Sequence, residues 1–165
     1  MTTSHHEMVK QGGRGAYGQF SSSTTQRPTS LDPVKIVLDT CQDSSGENDL
    51  GVDLITGDIK IRHPGTYLII AGPQIGKLAG DKPRWIDFWL RVNDLDVPSS
   101  NVRGIVRDHF MKDVIVVQVV RRLAQGDKLN IMMSVEVADE GLGIETIRPA
   151  GEPVIPSIIL TVIQL

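Results

Sequence analysis

From residue 33 onward the chain is a series of short apolar runs, each closed by turn-forming residues. These runs predict strands at 34–39 (VKIVLD), 50–54 (LGVDL), 58–62 (DIKIR), 66–73 (TYLIIAGP), 85–92 (WIDFWLRV), 101–106 (NVRGIV), 113–121 (DVIVVQVVR), 127–137 (DKLNIMMSVEV) and 157–164 (SIILTVIQ), with a weaker one near 15–22. They are rich in Val and Ile, whose branched side chains suit a pleated surface. Between them stand Pro64-Gly65, Gly80-Asp81, Asn93-Asp94, Gly126-Asp127 and Gly151 with Pro153, all turn formers. No stretch of a dozen residues carries a 3.6-residue period with caps. Nine or ten strands without a helix predict an all-β sandwich or barrel.

The two faces of each strand carry more information than its existence. Side chains alternate across a strand, so each run has two sets of residues. Along 127–137, Leu129, Ile131, Met133, Val135 and Val137 oppose Asn130, Met132, Ser134 and Glu136, and along 58–62 Ile59 and Ile61 oppose Lys60. Such strands have one dry and one wet face. Three runs do not alternate. Tyr67, Ile69 and Ala71 oppose Leu68 and Ile70. Ile115, Val117 and Val119 oppose Val114, Val116, Gln118 and Val120. Ile158, Leu160 and Val162 oppose Ile159, Thr161 and Ile163. A strand that is apolar on both faces needs two covers, and a sandwich supplies one. Several hundred Å² of apolar surface would otherwise face water, on the order of 10 kcal/mol gross at ~25 cal/mol per Å². The pattern therefore predicts an oligomer packed through one sheet.

Charge and composition narrow the classes. The 165 residues are 40% hydrophobic and 22% charged, ordinary for a globular domain. A balance of 17 Lys and Arg against 20 Asp and Glu, net −3, argues against a general nucleic-acid binder. No run is long and apolar enough to predict a membrane-inserted helix. Cys41 is the only cysteine, so no intrachain disulfide framework is expected. Residues 1–14 read as a polar N-terminal arm without the apolar stretch of a Sec signal peptide, and 15–165 as one domain. Met8, Val9, Arg14 and Tyr17 are the arm's candidate anchors to a larger assembly.

Candidate chemistry is sparse. Gly13-x-Gly15-x-x-Gly18 matches a dinucleotide fingerprint in letters, but it follows an arm and precedes SSSTT rather than opening a helix. Gly72-Pro-Gln-Ile-Gly76-Lys77 is one residue short of a phosphate loop and lacks the Ser or Thr after its Lys. His5, His6, His63 and His109 form no metal-ligand spacing, and the stretch DSSGEND lacks the spacing of a calcium loop. No catalytic residues, metal or cofactor are expected. Trp85 and Trp89, four apart on one strand, share a face with Arg91 and make a candidate ligand surface for a sugar or a partner.

These residues also carry a family likeness. Ile59-x-Ile61-x-x-Pro64-Gly65-x-Tyr67, Leu90-Arg91-Val92-Asn93 and Leu123-x-x-Gly126-Asp127-x-Leu129, with a terminal apolar strand, resemble the jelly-roll domain of the complement C1q and tumour-necrosis-factor-like proteins. The segment Gly18 to Gln26 (GxFxSxxTQ), Ile36 to Thr40 (IxLDT), Trp89 to Asn93, Val97 to Ser100 and Pro153 to Thr161 resemble a microbial and viral branch of that family. Asp94 stands where the animal members usually have Gly, and the C-terminus lacks their Phe-x-Gly-Phe. The resemblance implies a ten-stranded jelly roll and a compact homotrimer, with the inner sheet on the threefold axis. Tyr67, Ile69, Val116, Gln118, Val120, Ile159, Thr161 and Ile163 are its expected interface. The branch implies a non-enzymatic structural or adhesive protein in a virion, a capsid-decoration or tail-fibre component, with capsid or tail proteins and a glycan as partners. The alternative is a cellular carbohydrate- or ligand-binding trimer.

Overall fold

The computed structural model describes residues 15–46, 50–53 and 56–165. Met8, Val9 and Arg14, and with them the whole 1–14 arm, lie outside the described residues. The strands are β1 (Tyr17–Ser22), β2 (Val34–Lys35), β3 (Thr40–Ser44), β4 (Leu50–Val52), β5 (Ile59–Ile61), β6 (Gly65–Gly76), β7 (Arg84–Val92), β8 (Leu95–Asp96), β9 (Val102–Val106), β10 (Asp113–Val114), β11 (Val117–Leu123), β12 (Lys128–Val135), β13 (Gly143–Ile144) and β14 (Ile158–Gln164).

They form two antiparallel sheets. The first runs β3-β1-β14-β6-β11, and β10 and β13 pair with the far half of β6. The second runs β4-β5-β12-β7-β9, with β2 beside β12 and β8 beside β7. The inner faces meet in one core. Phe20, Tyr67, Ile69 and Leu160 of the first sheet pack against Ile59, Ile61, Ile86, Phe88 and Leu90 of the second, all essentially without solvent exposure. The expected jelly-roll sandwich is the observed architecture.

Three local departures from the expected strands stand out. The run at 34–39 pairs as a strand only at Val34–Lys35. Beyond it, the Gln26 side-chain amide takes the place of a neighbouring strand: its Nε2 donates to the Val37 carbonyl and its Oε1 accepts from the Val37 amide, both at 2.9 Å. With its backbone satisfied in this way, Val37 needs no ladder. Polar Thr40–Ser44 is not among the expected strands, yet it pairs with β1 at the sheet edge, across a bulge between Gln19 and Phe20. The run at 113–121 breaks at Ile115 and Val116 into β10 and β11.

The same region shows what the Gly18–Gln26 and Ile36–Thr40 motifs do for each other. Asp39 accepts hydrogen bonds from the Ser23 amide (2.9 Å), the Ser23 hydroxyl (2.9 Å) and the Thr40 hydroxyl (2.7 Å). Partial burial works against the charge of Asp39, but the bonds from Thr40 and Ser23 outweigh it and hold the carboxyl below its usual range. Gly18 is needed because a Cβ there would meet the Phe20 ring at 2.4 Å. At the β7–β8 turn, Asn93 and Asp94 take φ of 50° and 63°, the left-handed region that Asn and Asp tolerate best after Gly. Asn93 also donates to Asp127 (2.7 Å) and accepts from the Lys128 amide (2.9 Å), two bonds that a glycine could not make.

Candidate functional site: two outer faces

Each sheet turns one face to the core and one outward. On the first sheet the register aligns the outward residues in rows. Tyr17, Ile163, Leu68 and Val120 stand side by side, and so do Gln19, Thr161, Ile70 and Gln118. Ser21, Ile159 and Gly72 form the next row, flanked by Val116 and Val114. Val114, Val116, Val120, Ile159 and Ile163 are open to solvent, from 39% for Ile163 to 58% for Val120, whereas Leu68 and Ile70 are half-buried. Two shallow depressions lie in this face. One, of 360 Å³, is lined by Gly15, Tyr17, Gln19, Asp43, Thr161 and Ile163. The other, of 250 Å³, is lined by residues that include Ile70, Gly72, Val114, Ile155 and Ile159. Within the described chain, Gln19, Gln118 and Thr161 make no side-chain hydrogen bond.

Six of the eight expected interface residues, Val116, Gln118, Val120, Ile159, Thr161 and Ile163, lie together on this face. Tyr67 and Ile69 do not. They point inward and are covered by the second sheet, and the Tyr67 hydroxyl donates to the His63 carbonyl at 2.8 Å. The outward residues of β6 are Leu68 and Ile70. The sequence holds a signal for this parity: Thr66 and Gln74, the polar residues near the ends of β6, alternate in phase with Leu68 and Ile70.

On the second sheet the outward residues are long, polar and tied to one another. Asp87 takes a two-pronged ion pair from Arg103, 2.7 Å from Nε and 2.8 Å from Nη2. The Arg103 guanidinium lies 4.3 Å over the Trp85 ring. Lys35 pairs with Asp58 at 2.7 Å, and Asn130 donates to the same carboxylate. Asp96 accepts from Arg91 Nε (2.7 Å) and Trp89 Nε1 (2.6 Å), and those bonds, Arg91 first, hold its carboxyl below the usual range. Trp85, Trp89 and Arg91 thus share one face as expected, but in different states. Trp85 is capped by a guanidinium, whereas Trp89 borders a groove of 360 Å³ with Pro98, Ser99, Asn101 and Ser134.

One pole of the sandwich carries an ion network that no motif in the sequence announces. Lys77, wholly buried, donates to the Lys82 carbonyl (2.5 Å) and to Glu140 (3.1 Å), and Arg84 reaches Glu140 at 2.6 Å. The Arg84 hydrogen bond is the largest influence on Glu140 and, with Lys77, draws its carboxyl down to about 2. Beside it, buried Glu145 pairs with Arg27 (2.9 Å) and with Lys112. The Gly72–Lys77 segment continues β6 as an extended strand and its end, so it does not form the curled cradle that would hold a phosphate. His63 is exposed near Pro64, and His109 approaches Asp81 at 3.2 Å at the opposite pole. Among the described residues, no group of three or more His, Cys, Asp or Glu converges.

Two seven-stranded antiparallel sheets connected in this order can be set beside solved folds. Crystal structures of murine APRIL at pH 5.0 and pH 8.0 match with TM-scores of 0.59 and 0.57, covering 92% of this chain and 100% of that one. The fold is a tumour-necrosis-factor-like jelly roll. Identity to both structures is 12%, so the TNF-like likeness lies in the backbone path and not in shared surface residues. No family model and no curated protein matches the sequence. In this jelly roll the sheet that contains β14, β6 and β11 carries the open apolar rows, and the sheet that contains β7 and β12 carries the bonded polar ones.

Proposed function

We propose that the chain is a non-enzymatic module that assembles as a homotrimer through the open face of the first sheet. We further propose that the trimer is a structural or adhesive component of a virus particle, a capsid-decoration or tail-fibre part held by residues 1–14. The observation that carries the first half is the set of aliphatic residues on β14 and β11, exposed in one chain on either side of a row in which Gln19, Gln118 and Thr161 have no side-chain partner among the described residues. A second copy supplies both needs at once: apolar cover for the outer rows, and donors and acceptors for Gln19, Gln118 and Thr161. The depression beside Tyr17 and Gln19 and the ridge of Val116 and Val120 sit at opposite sides of the face. That arrangement fits a rotational contact that closes a ring, ridge to hollow, more readily than a two-fold contact of like with like. The second half rests on the sequence, on the polar arm and on the motifs of the microbial and viral branch.

Light scattering after gel filtration tests the assembly. The expected mass is three times 18.1 kDa, or 54.3 kDa, persisting at micromolar concentration. An 18.1 kDa species there overturns it. Removal of residues 1–14 is expected to leave three chains per particle in solution and to abolish co-sedimentation with purified virus particles. Retained co-sedimentation sinks the anchoring role.

A further inference from the structure

The groove beside Trp89 lies on the second sheet, away from the proposed trimer contact, and its chemistry is unusual for the face that contains it. Elsewhere on that face Asp87, Arg103, Lys35, Asp58 and Asn130 are each held by a neighbour. Around this groove the polar side chains are free: Ser99, Asn101 and Ser134 make no side-chain hydrogen bond in the described chain. Asp96 uses only Oδ1 for Trp89 and Arg91, which leaves Oδ2 as an unspent acceptor. The rest of the lining is Trp89, Val97 and Pro98. The volume, 360 Å³, lies at the small end of the range of about 300–1,000 Å³ typical of ligand clefts.

The walls are also fixed in advance. The Trp89 ring is held at Nε1 by Asp96. The loop from Val97 to Asn101 is pinned from beneath by the buried Ser100 hydroxyl, which donates to the Val97 carbonyl (2.7 Å) and accepts from the Leu90 amide (3.0 Å). Ser99 takes φ 61°, a conformation a β-branched residue rarely adopts. Preorganised walls lower the ordering cost of binding.

We propose that this groove binds a neutral pyranose sugar. A pyranose has one face of C–H groups, which matches an indole plane, and a periphery of hydroxyls, which matches a mixed set of donors and acceptors. Asp96 lines the groove with one carboxylate oxygen unspent, and no Lys, Arg or His is among the lining residues. The site therefore has nothing to offset a sugar acid or a sulfate, and the ligand is uncharged. Trp85 does not serve, because Arg103 covers its ring. The proposal rests on the adhesive part of the reading above and not on the trimer, although three grooves per trimer would convert weak sites into avid attachment.

The test is a titration of the full chain with methyl glycosides of glucose, galactose, mannose and N-acetylglucosamine, followed by the indole N–H resonances and by tryptophan fluorescence. At least one glycoside is expected to shift the Trp89 signal saturably, with half-saturation on the order of 1 mM, and to leave Trp85 unmoved. Trp89→Ala should weaken binding at least about tenfold, the usual scale for truncating a buried aromatic anchor. Asn101→Ala and Ser134→Ala, which leave the core untouched, should each weaken it a few-fold, whereas Trp85→Phe should not change it. N-acetylneuraminic acid and galactose 6-sulfate should not bind. The proposal is overturned if no neutral glycoside shifts Trp89, if Asn101→Ala and Ser134→Ala both bind as the parent does, or if the acidic sugars bind more tightly. Light scattering on the same samples keeps the two readings apart: a trimer without sugar binding sinks the groove alone, and a monomer that binds sugar sinks the assembly alone.

Discussion

The outer faces of the two sheets obey the same alternation rule and end in opposite states. On the second sheet, Asp87 with Arg103, Asp58 with Lys35 and Asn130, and Asp96 with Arg91 and Trp89 form lateral pairs that satisfy these groups within one chain. On the first sheet, Val116, Val120, Ile159 and Ile163 are between 39% and 58% exposed and have no such pairing among the described residues. Both sheets bury their inner faces equally well, so the difference has nothing to do with holding the sandwich closed. A strand needs one apolar face to fold in this architecture. A second apolar face is surplus to folding, and faces of that kind are where proteins usually make contacts.

The largest expected effect comes from reversing that difference. Ile159→Arg places a charge in the middle of the apolar rows, where burial against another copy leaves it unpaired. Breaking or orphaning a buried charge costs roughly 3–5 kcal/mol, so assembly should weaken by well over ~100-fold. The variant is expected to elute as a folded monomer with an unchanged circular-dichroism spectrum. The matching change on the second sheet is Ile105→Arg, at a position 47% exposed. It should leave both mass and stability within about 0.5 kcal/mol of the parent. If the two substitutions behave alike, the faces are not functionally distinct.

Much of this contrast is legible in the order of residues alone. The two-sided runs at 113–121 and 157–164 place Val116, Gln118, Val120, Ile159, Thr161 and Ile163 on the face that is in fact open. The same logic fails at 66–73, because an apolar residue at nearly every position gives no parity of its own. Thr66 and Gln74 set the phase, one at the start of the strand and the other just beyond the expected end. Strand β3 escapes because TCQDS is polar and pairs with β1 alone at an edge. The network of Lys77 and Glu140 is out of reach for a different reason. The partners lie 63 residues apart, and a lysine that is wholly buried carries no local sign of it. The difference between Trp85 and Trp89 is likewise hidden, since it depends on where Arg103 of a neighbouring strand comes to rest.

The pole that links the two sheets sharpens the comparison through pH. Glu140 accepts from Arg84 and from buried Lys77, and its carboxyl is drawn from the ordinary 4.5 down to about 2. A carboxylate with a lowered folded-state value contributes stability that is complete above its unfolded value and is lost as pH falls through the folded one. The parent's thermal midpoint should therefore decline between about pH 4.5 and pH 2. Glu140→Gln should start lower at neutral pH, because Lys77 keeps only the Lys82 carbonyl as a full partner, and should then fall less steeply over that window. Melting curves at fixed ionic strength would show the two lines converging on acidification. Parallel lines would mean that another carboxylate governs the acid limb.

The smallest effect tests whether the second face is completed by its pairs or merely decorated with them. Asp87→Asn removes the charge that Arg103 grips with two nitrogens, while the amide is too nearly isosteric to open a cavity. The Arg103 side chain is more than half exposed, so solvent takes up much of the loss. A cost of about 1 kcal/mol is expected, a midpoint shift of roughly 2–4 °C for a domain of this size. The informative readout is local. Once Arg103 is released, Trp85 loses its cap, and its fluorescence should become more accessible to acrylamide while that of Trp89 does not change. In that event the pairs are what keep this face closed, and Trp89 is left as the one indole that the sheet holds open. If Trp85 stays shielded, packing against β9 covers it without the ion pair, and the polar network follows the shape of the face instead of setting it.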